Sequence, residues 1–316
     1  MLLNILFLLI GFVILVYGAN FLVDGGSALA WRLKISNIVI GLTVVALGTS
    51  TPELVVNIMS SAKGSSALAL GNVLGSNIFN ILCILGITAL IIPIGIKKTT
   101  TWIEIPLVVL AAILIMILTN DDPSGIISRA EGFSLLCFFA VFIAYTLFLA
   151  KRGGVSNEEV EIKPYSVGKS VLFILLGLAG LILGGRLLVN GAVGLAQMAG
   201  ISERIIGLTI VSIGTSLPEL ATSFIAARKK NADMAIGNVV GSNIFNTFLI
   251  LGASASISPL QISAESTMDL WVNVIATVLL FIFVFTGKGR KINRWEGAIF
   301  LAMYITYLTL LISNKW

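Results

Sequence analysis

The sequence predicts an all-α polytopic membrane protein whose ten transmembrane helices form two inverted five-helix repeats. Three observations lead there: an extreme apolar composition, ten apolar runs of spanning length, and polar motifs that recur at one fixed offset. Of 316 residues, 57% are hydrophobic and 11% charged, and the mean hydropathy is +1.04. Soluble domains carry about 25% charged residues, so most of this chain is suited to lipid rather than water.

About 20 apolar residues cross a hydrocarbon core of ~30 Å. In the first half such runs lie near residues 2–30, 35–61, 67–95, 102–119 and 130–150. The second half supplies 168–198, 204–227, 233–258, 268–287 and 295–313. No basic residue precedes the first run, so it lacks the charged n-region of a cleavable signal peptide and reads as a permanent span. Between the halves lies one strongly hydrophilic stretch containing Lys151, Arg152, Glu158, Glu159, Glu161, Lys163 and Pro164. The chain therefore divides into a first repeat at 1–150, a linker at 151–167 and a second repeat at 168–316. Five spans per half is an odd number, so the second half enters from the opposite face and is inverted relative to the first.

The repeat is visible in the residues themselves. Gly48-Thr49-Ser50-Thr51-Pro52-Glu53 returns as Gly214-Thr215-Ser216-Leu217-Pro218-Glu219, an offset of 166. At the same offset Gly71-Asn72-Val73-Leu74-Gly75-Ser76-Asn77-Ile78-Phe79-Asn80 matches residues 237–246, with only Leu74 and Val240 differing. Gly11 likewise aligns with Gly177, and Val23-Asp24-Gly25 with Val189-Asn190-Gly191. Chance does not keep one register across three spans.

Glu53 and Glu219 are the carboxylates of the two motifs, and each lies in apolar sequence. An ionised carboxylate in hydrocarbon costs several kcal/mol unless it is paired or bound, which makes each a functional candidate. Pro52 and Pro218 lack an amide hydrogen, so regular helices would leave the Gly48 and Gly214 carbonyls without partners. In that geometry Thr49, Ser50 and Glu53 share a face, as do Thr215, Ser216 and Glu219. Each motif would then offer hydroxyl, carboxylate and carbonyl oxygens together, a donor set that suits Na⁺, Ca²⁺ or Mg²⁺. The competing reading is a proline-kinked helix whose Glu pairs with a base, but Arg186 is the one clear basic residue within a span. Asn72, Ser76 and Asn80, and their counterparts Asn238, Ser242 and Asn246, repeat every four residues along one face. Their amides and hydroxyls can ligate a cation, whereas Gly71, Gly75, Gly237 and Gly241 read as close-contact positions between helices.

The remaining composition bounds function further. Cys83 and Cys137 sit in separate spans without metal-ligand spacing and read as packing residues. The chain has no histidine, so a proton relay would need carboxylates. The pI near 9.3 does not indicate a nucleic-acid partner, because the bases cluster at span ends. With the N-terminus outside, fifteen Lys and Arg fall in inside segments and four in outside ones. Both termini are therefore expected to be extracytoplasmic and the linker cytoplasmic, in a multi-pass protein of the cell membrane. Asp24 and Arg186 read as interfacial or structural, and Glu104 and Glu131, near span ends, as solvated. An enzyme is disfavoured by the absence of any nucleophile–base pair or H-E-x-x-H. A channel is disfavoured by the inverted duplication.

In its two copies of G-T-S-x-P-E and of G-N-x-x-G-S-N-I-F-N, the chain resembles the Na⁺/Ca²⁺ exchanger family of the cation/Ca²⁺ antiporter superfamily. The resemblance is to the prokaryotic type, with two α-repeats and no large regulatory domain. It implies a secondary antiporter that exchanges Ca²⁺ for Na⁺ by alternating access at a central site formed by Glu53 and Glu219. By the same correspondence Thr49, Ser50, Thr215, Ser216 and the backbone carbonyls of Ala46 and Ser212 supply oxygens. Ser76 and Ser242 flank the site, and Asn80 and Asn246 sit beside its centre. Several relatives, K⁺-dependent ones among them, carry Asp at one of those last two positions. Asn at both leaves two carboxylates, a charge that balances one Ca²⁺ or two Na⁺. The implied partners are the two ions and the lipid bilayer, with no cofactor and no obligatory protein partner. The alternative is a H⁺-coupled Ca²⁺/cation exchanger, in which protonation of the two Glu releases the ion.

Overall fold

No proline interrupts the chain between Leu2 and Leu33, and these residues form one continuous helix, α1 (Leu2–Leu33), of 32 residues. At 1.5 Å per residue it is about 48 Å long, enough to cross a bilayer at a tilt. The computed structural model describes residues 1–64, 66–120, 125–152, 163–200, 212–262, 266–286 and 289–313. After α1 come α2 (Asn37–Thr49) and α3 (Thr51–Ala62), bent by 48° at the break between them, then α4 (Leu68–Ile91), α5 (Thr100–Leu118) and α6 (Arg129–Arg152). The second half holds α7 (Val167–Met198), α8 (Ser212–Thr215), α9 (Leu217–Arg228), α10 (Ala232–Ile257), α11 (Ser266–Thr286) and α12 (Arg294–Ile312).

Burial sorts these helices into a centre and a rim. The apolar window of α10 is 94% buried and that of α4 78%, against 22% for α1, 17% for α6 and 28% for α7. The two central helices carry the duplicated Asn/Ser motif, and Leu70, Leu74, Ile78, Phe245 and Phe248 pack in the core around them. The outer helices expose Leu9, Phe12, Val141 and Leu175, as lipid contact requires. Cys137 is also exposed on α6, so it is a surface residue and not the packing residue expected. Cys83 is buried.

α1 and α7 lie antiparallel at backbone contact. A Cβ added at Gly11 would sit 2.7 Å from the Leu188 amide nitrogen, and one at Gly18 would sit 2.7 Å from that of Leu181. One at Gly25 would meet the Ser170 carbonyl at 2.8 Å. Only glycine lets two helices approach this closely. A further cluster joins Leu15, Leu22, Ile174 and Leu181 of this pair to Met234 of α10.

Contacts recur at equivalent positions in the two halves. Residues Ile94–Gly95 (β1) pair antiparallel with Lys291–Ile292 (β4), and Ile126–Ile127 (β2) with Leu260–Gln261 (β3). These strands were not anticipated. The third run was expected to continue to 95, but Pro93 pushes Ile92 into an extended conformation at φ −137°, ψ 119°. Pro259 does the same to Ser258, at φ −143°, ψ 130°, and ends α10 one residue before the expected 258.

Among the described residues, seven helices are long and apolar enough to cross a membrane, or eight with α2 and α3 taken as one bent span. The ten expected spans are thus reached in part. The seventh run, 204–227, begins outside the described residues and continues as α8 and α9. The expected linker also narrows: Lys151 and Arg152 complete α6, α7 starts at Val167, and 153–162 lie outside the described residues.

Candidate ion-binding site

The helix breaks fall at Ser50 (φ −82°, ψ 7°) and Ser216 (φ −91°, ψ 7°), each two residues before its proline. Pro52 and Pro218 therefore occupy the first turn of α3 and α9, where a missing N–H costs no helical hydrogen bond. The break stands before each proline, so the regular spacing that would put Thr49, Ser50 and Glu53 on one helix face does not hold across it. Glu53 and Glu219 stand in the first turns of α3 and α9, where the positive end of the helix dipole favours a carboxylate. Both are 1% exposed, and neither takes part in an ion pair among the described residues.

The hydroxyls reach across rather than along. Ser50 Oγ donates to Glu219 Oε1 at 2.9 Å, and Ser216 Oγ donates to Glu53 Oε1 at 3.1 Å. Sequence spacing had each Ser beside its own Glu; the break rotates it toward the other half. Ser76 Oγ lies 3.1 Å from Ser216 Oγ, and Ser242 Oγ donates to Glu219 Oε1 at 3.4 Å. The structure thus brings Ser50, Glu53, Ser76, Ser216, Glu219 and Ser242 into one buried polar group.

Among the described residues, Glu53 Oε2, Glu219 Oε2, Asn80 Oδ1 and Asn246 Oδ1 are buried oxygens without a hydrogen-bond partner. Buried acceptors are almost always satisfied, and these four stand at equivalent positions in the two halves. Asn80 and Asn246 begin π-helical turns, Phe79–Leu85 and Phe245–Leu251, a local widening frequent at functional sites. Asn246 Nδ2 donates to Asn77 Oδ1 at 3.1 Å, and Asn77 Nδ2 donates to Thr247 Oγ1 at 3.1 Å. Asn77 therefore orients Asn246, a role the sequence did not single out. No residue pattern announces the π turns.

Other expected residues lie around this group. Thr49 Oγ1 donates to Asn238 Oδ1 at 3.1 Å. The Ala46 carbonyl already accepts from Ser50 N at 2.9 Å and Thr49 Oγ1 at 3.3 Å. Thr215 is half-buried at the end of α8, and Ser212 begins that helix. Asn72 Nδ2 donates to Asn57 Oδ1 at 2.6 Å and Asn57 Nδ2 to the Ala69 carbonyl at 2.9 Å. Their counterparts repeat this link, Asn238 Nδ2 to Ser223 Oγ at 2.8 Å and Ser223 Oγ to the Ala235 carbonyl at 3.5 Å. These bonds fasten α3 to α4 and α9 to α10. Among the close-contact glycines, a Cβ at Gly241 would meet Ala46 Cβ at 2.7 Å, and one at Gly237 would meet the Ile38 carbonyl oxygen at 3.0 Å. Gly71 has nothing within 4 Å and does not serve close packing.

The outlying charges have specific partners. Asp24 pairs with Lys229 at 2.6 Å and Lys163 at 3.1 Å, and Lys97 pairs with the buried Asp233. Glu104, expected to be solvated, is fully buried and accepts from Tyr145 Oη at 2.5 Å. Glu131 is half-buried, and its Oε2 accepts from Ser128 N and Oγ at 2.6 Å each. A cavity of about 230 Å³ borders both breaks, with Pro52, Gly214, Thr215, Pro218, Arg186 and Asn190 in its wall.

Long apolar helices around a buried polar centre define a multi-pass membrane protein. Residues 3–148 and 169–313 match the model of the sodium/calcium exchanger protein family, and the chain belongs to that family. It is 40% identical to the putative antiporter CaxA of Alkalimonas amylolytica, over 99% of this chain and 100% of that one. It is 31% identical to the sodium/calcium exchanger MaX1 of Methanosarcina acetivorans, over 98% of each. The solved structure of the sodium-calcium exchanger NCX_Mj, soaked with 2.5 mM Na⁺ and 0.1 mM Ca²⁺, superposes with a TM-score of 0.82 at 34% identity, covering 98% of both chains.

Proposed function

We propose that the chain carries out Na⁺/Ca²⁺ antiport by alternating access at one site shared between the halves, with Glu53 and Glu219 at its centre. The single observation that carries this reading is the pair of crosswise bonds, Ser50 to Glu219 and Ser216 to Glu53. They support one buried environment for both carboxylates, whose charge of −2 when both are ionised one Ca²⁺ or two Na⁺ would neutralise. The open oxygens of Asn80 and Asn246 would complete the ligand set, with Thr49, Thr215 and the Ala46 and Ser212 carbonyls adjacent. Na⁺ and Ca²⁺ competing for the same carboxylates makes filling by one the release of the other.

In this reading ten spans form two inverted repeats, 1–150 and 168–316, with both termini extracytoplasmic and the 151–167 linker cytoplasmic. What supports it is the antiparallel α1–α7 pair and the recurrence of strand pairing and hydrogen bonds in the two halves. α1 and α7 are joined at backbone contact and would move as one body across the fixed centre.

The test is Ca²⁺ uptake into proteoliposomes under separately imposed Na⁺, K⁺ and H⁺ gradients. An outward Na⁺ gradient is expected to drive uptake, and Glu53→Gln and Glu219→Gln are each expected to abolish it in folded protein. Uptake that follows pH and ignores Na⁺ would replace this reading with the H⁺-coupled exchanger. Robust Ca²⁺ counterflow in either variant would exclude the shared site.

A further inference from the structure

Arg186 stands apart from the other intramembrane charges. It is exposed on α7, has no ion-pair or hydrogen-bond partner among the described residues, and lines the cavity that borders both helix breaks. A cation placed beside a proposed cation site works against occupancy, so its presence needs a reason. The equivalent first-half position holds Asn20, and the equivalent of Asn190 is Asp24. Asp24 is held between Lys229 and Lys163, whereas Arg186 has no acid beside it among the described residues. The two ends of an otherwise duplicated framework therefore differ in whether a carboxylate faces the bases.

We infer that Arg186 is a selectivity residue of ion entry, which raises the Ca²⁺ concentration needed on one face of the membrane more than the Na⁺ concentration. This rests on the proposed function. Arg186 lies 19 residues beyond the start of α7 and 12 before its end, about 28 Å from the linker end and about 18 Å from the other, so the nearer face is the one opposite the linker. Electrostatic energy scales with the charge of the entering ion. A potential that lowers Na⁺ occupancy about threefold therefore lowers Ca²⁺ occupancy about tenfold at the same point. The residue holds off the divalent ion until its concentration on that face is high, and favours Na⁺ loading there.

The experiment measures half-saturating Ca²⁺ for Ca²⁺ counterflow and half-inhibiting Na⁺, on each face separately, in proteoliposomes sorted by orientation. Arg186→Gln is expected to lower the Ca²⁺ value by about tenfold and the Na⁺ value by about threefold on the face opposite the linker. The other face should be unchanged, and the difference should shrink in 0.5 M choline chloride as the field is screened. Arg186→Lys should behave as the parent. Asn190→Asp, which places a carboxylate four residues from Arg186 on the same helix face, should shift both values as Arg186→Gln does, and it decides the question if Arg186→Gln is not recovered folded. Equal fold-changes for the two ions, equal effects at both faces, or no change would overturn the inference. If the parent protein shows no Ca²⁺ counterflow, the functional reading itself falls.

Discussion

Ser50→Ala discriminates between two geometries of the same motif. By sequence position its nearest carboxylate is Glu53; in the structure its hydroxyl donates to Glu219 Oε1 at 2.9 Å. A hydrogen bond to a charged group contributes about 1.5–3 kcal/mol, or roughly 10- to 150-fold in an equilibrium constant. Ser242 Oγ, at 3.4 Å from the same oxygen, compensates in part, so Ser50→Ala should lower the folding equilibrium constant of the ion-free protein by about tenfold. Ser216→Ala also loses its contact with Ser76 and should cost more. The assay is thermal unfolding of the purified, ion-free protein in detergent, in a double-mutant cycle. Ser50→Ala combined with Glu219→Asp should depart from additivity by about 1 kcal/mol or more, and Ser50→Ala with Glu53→Asp by less than about 0.5 kcal/mol. A larger coupling for Ser50 with Glu53 would refute the crosswise arrangement.

Three further outcomes follow from other parts of the structure. Gly18→Ala would place a Cβ 2.7 Å from Leu181 N and 2.9 Å from the Gly177 carbonyl, so thermal unfolding in detergent should show a loss of about 1–3 kcal/mol and exchange should slow; Gly71→Ala, with nothing within 4 Å, is the control that should do neither. Lys97→Met leaves the Asp233 side chain, 2% exposed, without its base; because Lys97 is 38% exposed, the cost should be about 1–3 kcal/mol rather than the larger figure for fully buried pairs, and Lys97→Met/Asp233→Asn should recover most of it. Exchange should proceed in K⁺-free buffer, because Ca²⁺ plus a monovalent ion would bring +3 against two carboxylates, and Asn246→Asp should change the charge moved per cycle, read as current in a planar bilayer; uptake silent until K⁺ is added would refute this.

The sequence was most informative where a single chemical fact decides local structure. Proline disfavours the helix interior, so the breaks before Pro52 and Pro218 were legible to within two residues, although Pro106 stands inside α5. Gly237 and Gly241 announced close approach between helices, and Gly71 did not bear it out. Glu53 and Glu219 stood out as carboxylates in apolar sequence, and the structure buries both without an ion pair among the described residues. What stayed hidden depends on rotation about an axis. A helix broken at Ser50 points its hydroxyl in a direction that no spacing rule supplies, so the pairing of each Ser with the opposite Glu had to come from the structure. The π turns at Asn80 and Asn246 were hidden for the same reason. Glu104 was misjudged because proximity to a span end was taken for exposure, whereas Tyr145 of α6 covers it.

The two halves differ where a difference does no harm to the centre. Asn57 in the first half and Ser223 in the second occupy equivalent places and make equivalent links to α4 and α10, so the donor changes while the fastening remains. Those links hold α3 to α4 and α9 to α10, and the crosswise Ser–Glu bonds hold the halves to each other. A centre tied in both directions cannot open by separating its own helices without leaving buried polar groups unsatisfied, at about 1–3 kcal/mol each. In the proposed cycle, motion is therefore cheapest in the α1–α7 pair, whose internal contacts are close but whose outer face meets only lipid. The charges that break the symmetry, Asp24 and Arg186, both lie on that pair. In that cycle such an arrangement would let the two faces of the membrane see different electrostatics while the ions see one site.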